Sequence, residues 1–129
     1  MSTTHAHLLL NHVPTVGFVM TIGVFLAGLV AHSDPLKRAS LAAFVGIALL
    51  AIPTYVTGNA AAEHLCVGKA NEPCADEAIS RPLIERHEGA ALLALAVMIA
   101  TAGFAWLGVW HYRQLRRFPT WILGVLALL

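Results

Sequence analysis

The sequence predicts an all-α transmembrane protein, an antiparallel helix bundle with three full spans and a truncated fourth. Its 129 residues are 58% hydrophobic and only 12% charged, with a mean hydropathy of +0.73. Ordinary soluble domains are about 45–50% apolar and about 25% charged. The apolar residues are also grouped into four runs, and the segments between these runs carry the charges. We therefore expect one transmembrane helical domain over residues 1–129.

The first span is predicted at residues 13–30, where Thr15 and Thr21 carry the only polar side chains. At ~1.5 Å per residue this run crosses most of a ~30 Å hydrocarbon core. No cation precedes it, whereas a signal peptide needs a positive region before its apolar core, so we expect a retained helix. His32-Ser33-Asp34-Pro35 then predicts a short turn, with the proline near the start of the next helix.

The second span is predicted at residues 39–57. Pro53 inside it is expected to bend the helix because proline removes a backbone hydrogen bond, and Gly58-Asn59 is expected to end it. Residues 60–86 are charged and polar and include Cys66 and Cys74. We interpret this segment as an extramembrane loop that contains a short helical piece.

The third span is predicted at residues 87–110. Aromatic and cationic residues follow it, as is typical where a helix leaves the membrane. The last apolar run, residues 120–129, reaches only ~15 Å as a helix, about half a bilayer. We therefore expect it to be a truncated fourth span.

The charges predict the orientation of these spans. Alternating spans place five of the eight lysines and arginines on the side of the Asp34 turn, and this side is expected to be cytoplasmic. The five are Lys37, Arg38, Arg113, Arg116 and Arg117. The amino terminus and the 60–86 loop would then lie on the periplasmic side of a bacterial inner membrane, where Cys66 and Cys74 can close as a disulfide.

A net charge of +1 excludes nucleic acid as an expected partner.

Histidines on the outer side are the main functional signal. Five of the seven map there: His5, His7, His12, His64 and His87. An ionisable group at the edge of a span tends to mark a functional site. His12 and His87 lie near the outer ends of the first and third spans, and two facing imidazoles suit axial ligation of a haem b iron. From His87 onward, small and flexible residues recur at helical spacing and would admit a flat ring: Ala90, Ala91, Ala94 and Met98.

Three other interpretations remain open. Imidazole and carboxylate ligands suit copper or zinc, with His12, His64, His87, Glu63 and Glu88 as candidates. Alternatively, His87 or Glu88 could accept a proton from a quinol whose ring packs on Tyr55. The small residues also suit a non-catalytic subunit that packs in a larger membrane complex. No hydrolase or nucleotide-binding motif is present.

Leu9-Leu10-Asn11-His12-Val13-Pro14, taken with Thr57-Gly58-Asn59 and Arg86-His87-Glu88, resembles a family of uncharacterised small bacterial membrane proteins of about four spans. Histidines on separate helices of such a bundle also look like b-type membrane cytochromes, although here both candidate ligands lie near one surface. The shared depth of His12 and His87 predicts a membrane-anchored electron-transfer subunit that binds haem b or a quinone near the outer face through these histidines. Its partner would be a membrane complex or a periplasmic redox protein, and a stand-alone enzyme is not expected.

Overall fold

The structure, a computed structural model, describes residues 3–65, 81–115 and 118–129. These residues form four helices: α1 (Thr3–Val30), α2 (Asp34–Leu65), α3 (Arg81–Leu115) and α4 (Thr120–Leu128). The central helix is α2, which packs along α1 on one side and along α3 on the other, while α4 packs on α3. The predicted all-α antiparallel bundle is confirmed.

Three helices are long and apolar enough to cross a membrane, and the chain is an integral membrane protein. The candidate spans are Leu10–Val30, Asp34–Glu63 and Pro82–Gln114. At ~1.5 Å per residue the three helices are ~42, ~48 and ~52 Å long, which exceeds the ~30 Å hydrocarbon core. Their ends therefore extend into the interfacial regions on both sides.

The helices are longer than the apolar runs that predict them. In particular, α2 does not end at Gly58-Asn59 but continues to Leu65, because the alanine-rich residues 60–65 favour helix strongly enough to carry it on. Residues 81–86 likewise belong to α3. The segment between α2 and α3 is therefore shorter at both ends than the predicted 60–86 loop. Cys66 and Cys74 lie outside the described residues, and their disulfide stays a prediction.

Threonine hydroxyls inside the spans bond to carbonyls of their own helices. The helix α2 runs through Pro53. Near it, the Thr54 hydroxyl donates to the Leu50 carbonyl and the Thr57 hydroxyl donates to the carbonyl of Pro53 itself, each at 2.9 Å. Such back-bonding gives backbone carbonyls a second donor where lipid offers none.

The α1–α2 turn is confirmed, and its geometry is a Schellman motif. The Ser33 N–H donates to the Gly28 carbonyl at 3.0 Å, and the His32 N–H donates to the Leu29 carbonyl at 3.2 Å. His32 takes the left-handed conformation, with φ of 50°, at the position where glycine is most common. The Ser33 carbonyl then accepts from the Lys37 N–H at 3.1 Å, so one residue ends α1 and begins α2.

The main core lies at the end of the bundle that carries Lys37, Arg38 and Arg113, which we call the basic end. All four helices contribute buried side chains to it: Phe25, Leu41, Phe44, Ala105, Ile122 and Leu126. The opposite end, which carries Glu63, Glu85 and Glu88, we call the acidic end. Within the described residues α1 and α3 do not pack along each other, and toward the acidic end a groove with α2 as its floor separates them.

Aromatic and cationic side chains hold α4 to the rest of the basic end. The ring of Phe118, just before α4, stacks on Tyr112 of α3 with centroids 4.4 Å apart. The Lys37 ammonium lies 5.6 Å from the Phe118 ring centroid and 3.0 Å from a carboxylate oxygen of Asp34. This chain of contacts links the α1–α2 turn to the segment that enters α4.

Candidate functional site

A cavity of about 230 Å³ lies in the groove between α1 and α3. Each of the three long helices supplies part of its wall. The lining residues are Asn11, Pro14 and Thr15 of α1, Ala51, Thr54 and Tyr55 of α2, and His87, Ala90, Ala91, Ala94, Leu95 and Met98 of α3. The cavity opens on the bundle surface, since His87, Ala90 and Ala94 are exposed.

The cavity runs along α3 from His87 to Met98. Met98 lies at the centre of the span Pro82–Gln114. His87 precedes it by three helical turns, about 16 Å along the axis. A ligand that enters from the lipid would therefore have an apolar inner end at Met98 and a polar outer end at His87.

Three polar side chains of the cavity wall have their hydrogen-bonding groups free within the part of the chain that the structure describes. No hydrogen bond to another described residue is found for the side chains of His87, Tyr55 or Asn11. The hydroxyl of Thr15, by contrast, donates to the backbone carbonyl of Asn11 at 3.1 Å. An imidazole, a phenol and a carboxamide are thus available to a bound molecule.

The predicted small face of α3 lies on the cavity wall. His87, Ala90, Ala91, Ala94 and Met98 all line it, as expected for residues at i, i+3, i+4, i+7 and i+11 of one helix. The alanines keep the α3 wall flat. Their small size therefore leaves room for a planar group at this position.

His12 is not part of this cavity. It is exposed, while Asn11, Pro14 and Thr15 line the wall. Successive residues of a helix are rotated by about 100°, so the face that carries Asn11 and Thr15 does not carry His12. His12 and His87 lie toward the same end of the bundle, but the structure brings Asn11, not His12, to the cavity of His87, and their pairing on a haem stays a prediction.

A metal centre is not assembled by the described residues. No group of three or more histidine, cysteine, aspartate or glutamate residues among them is placed to hold an ion. Glu63 is exposed and Glu88 is half-buried, and neither lines the cavity. The side chain of His64 lies outside the described part, as do those of His5 and His7. The described residues therefore give the predicted copper or zinc set no support.

Sequence reasoning missed Pro14 and Thr15 of the α1 wall and Ala51 and Thr54 of the α2 floor. Pro14 follows Asn11 at i+3, and Thr54 follows Ala51 at i+3, so each pair shares a helix face. The i, i+3 spacing predicts that the two residues of each pair lie on one face of their helix. It does not say whether that face meets lipid or protein, because both surroundings are apolar.

The arrangement suits a flat, uncharged ring with polar atoms at its edge. Its walls are mostly apolar, it contains no carboxylate among the described lining residues, and its polar groups gather toward one end.

Comparisons of this chain with protein-family models, with curated proteins and with solved structures find no match. Function is therefore argued from the cavity and its side chains.

Proposed function

We propose that this chain is an integral membrane redox subunit that binds a quinone in the groove between α1 and α3. The observation that carries the proposal is that His87, Tyr55 and Asn11 line one apolar-walled cavity toward the acidic end of the bundle. A quinone has a planar ring with two polar oxygens and an apolar tail. The ring would lie against the α3 alanines, and the tail would remain in the lipid.

The size of the cavity favours a quinone over haem b. The cavity measures about 230 Å³ and opens on the bundle surface, so a single ring can lie in it while an attached tail extends outside. A porphyrin has four pyrrole rings and is far larger than the single ring of a quinone headgroup. Among the described lining residues His87 is also the only histidine, so the cavity offers one axial ligand rather than two.

The chemistry that His87 would perform is proton transfer. Oxidation of a quinol to a quinone releases two protons and two electrons. The imidazole of His87 would accept one hydroxyl proton, since a neutral imidazole can act as a general base. Tyr55 or Asn11 would hydrogen-bond the other quinone oxygen. The second hydroxyl proton would go to water at the outer end of the cavity. The two electrons would pass one at a time to a one-electron redox protein, either a neighbouring subunit or a periplasmic carrier.

The same proposal includes the orientation. Lys37, Arg38 and Arg113 at the basic end would face the cytoplasm by the positive-inside rule. The acidic end, the amino terminus and the cavity would then face the periplasm of a bacterial inner membrane. Protons from the quinol would be released on that side.

Binding of decylubiquinone to purified protein in lipid nanodiscs, measured by isothermal titration calorimetry, tests the proposal. His87→Ala should weaken binding about tenfold, the value of one hydrogen bond of about 1.5 kcal/mol. His12→Ala is the matched control, because it removes an imidazole at the same end but outside the cavity. It should bind decylubiquinone as the unaltered chain does.

Two results would contradict the proposal. One is the absence of decylubiquinone binding, which would favour a purely structural subunit. The other is a haem absorption band in protein expressed with haem supply that both His12→Ala and His87→Ala abolish, which would restore the bis-histidine haem prediction.

A further inference from the structure

A second and larger cavity, of about 430 Å³, lies between α2 and α3 at the basic end. It is lined by Arg38, Ala39 and Ala42 from α2 and by Val109, Tyr112 and Arg113 from α3. It is at the opposite end of the bundle from the cavity of His87. Nothing in the quinone proposal uses it.

Two guanidinium groups at this cavity lack an acidic partner. Within the part of the chain that the structure describes, no carboxylate oxygen lies within 4.0 Å of Arg38 or Arg113. The nearby acid, Asp34, is paired with Lys37 at 3.0 Å. Arg38 is instead held over the ring of Tyr112, 5.1 Å from its centroid. The cavity therefore presents two uncompensated positive charges that suit an anion.

The cavity changes from cationic to apolar with depth. Ala42 lies one turn deeper in the membrane than Arg38 on α2, and Val109 lies one turn deeper than Arg113 on α3, about 6 Å in each case. Arg113 also lines a small neighbouring cavity of about 70 Å³ with Trp106, Val109 and Trp110. Apolar side chains of both cavities would thus lie deeper in the membrane than an anionic group held by the arginines.

We propose that this cavity is a binding site for an anionic phospholipid. The phosphate would lie between Arg38 and Arg113, and the acyl chains would follow Ala42, Val109 and Trp110 into the membrane. The apolar floor favours a lipid over free phosphate, because free phosphate has no apolar part that could pack on it. Basic pockets between helices on the cytoplasmic side of a membrane are typical sites for such headgroups.

Native mass spectrometry of the detergent-solubilised chain with dioleoyl phosphatidylglycerol tests this site. Each cation near a headgroup contributes roughly fivefold in affinity, so Arg38→Gln/Arg113→Gln should bind this lipid roughly 25-fold more weakly. Arg86→Gln is the control, since it removes an exposed guanidinium from α3 at the acidic end. It should retain the full affinity, and dioleoyl phosphatidylcholine should bind weakly to all three proteins.

Equal binding of phosphatidylcholine and phosphatidylglycerol by the unaltered chain would overturn the proposal, as would an unchanged affinity in the double variant. Displacement of the lipid by millimolar inorganic phosphate would identify an anion site without lipid selectivity and would overturn it too. Both guanidiniums are exposed, so folding should survive their replacement. Should the double variant fail to accumulate, Arg113→Gln alone should lose roughly fivefold in affinity, and an unchanged value there would reject the site.

Discussion

Gly28 and Lys37 touch across the α1–α2 turn with no space for a side chain between them. A Cβ atom on Gly28 would lie 3.0 Å from the backbone nitrogen of Lys37 and 3.1 Å from the Cβ of Leu36. The backbone at Lys37 cannot yield easily, because its N–H donates the first hydrogen bond of α2 to Ser33. The close approach of the first two spans therefore depends on the absence of a side chain at residue 28.

Gly28→Ala should lower the free energy of unfolding by about 1–3 kcal/mol, the usual cost of overpacking. Denaturation by sodium dodecyl sulfate in mixed micelles would measure it. Gly23→Ala in the same helix is the control, since a Cβ there meets nothing within 4 Å. It should be neutral or stabilising by at most about 1 kcal/mol, as expected for glycine replaced by alanine in a helix. Equal effects of the two variants would refute a steric contact at the turn.

Ile122 anchors α4 in the main core. Its side chain is 0% exposed and packs in the cluster that contains Leu41 and Ala105. Ile122→Ala should cost about 2–5 kcal/mol of unfolding free energy, because it leaves a cavity among the four helices. Ile99→Ala removes the same atoms from a position that is 49% exposed and should cost much less. A comparable loss in both variants would show that α4 does not pack as described.

Phe118 joins the entry of α4 to the basic end through its ring contacts. Phe118→Ala removes the stack on Tyr112 and the contact with Lys37. Aromatic pairs and cation–π contacts each contribute about 0.5–1.5 kcal/mol beyond surface burial, so backbone amides of α4 should exchange hydrogen faster by at least about fivefold. Hydrogen–deuterium exchange with mass spectrometry would detect this. Trp121→Ala, at a position that is 56% exposed, should leave exchange in α4 unchanged.

Ala94 offers a way to fill the cavity of His87 without removing any polar group. Ala94→Phe places a ring on the cavity wall and should abolish decylubiquinone binding in the calorimetric assay. Ala96→Phe introduces the same ring on an exposed face of α3 that does not line the cavity, and it should bind normally. Retained binding in Ala94→Phe would place the quinone elsewhere.

The proposed orientation predicts which positions a membrane-impermeant maleimide reaches in intact cells. In a chain that carries Cys66→Ser and Cys74→Ser, a cysteine replacing His5 should be labelled directly. A cysteine replacing the exposed Gln114 should be labelled only after the cells are permeabilised. Labelling of Gln114→Cys with protection of His5→Cys would reverse the topology and move the cavity to the cytoplasmic side.

The membrane class, the number of helices and the turn at residues 32–35 follow from the amino-acid sequence. Hydropathy acts locally along the chain, so long apolar runs must become spans whatever their neighbours are. The turn is equally local, because His32 and Ser33 complete hydrogen bonds to the preceding turn of α1. Hydropathy does not predict where α2 ends or where α3 begins, because a helix continues through polar residues once the apolar span has nucleated it.

The composition of the cavity depends on how the helices are rotated against one another. In a soluble protein a polar face would mark the outside of each helix, but here lipid and protein core are both apolar. The sequence pattern therefore could not decide between His12 and Asn11 as the neighbour of the His87 cavity. Packing of α1 and α3 on the two sides of α2 selects Asn11, opens the groove and leaves His12 exposed.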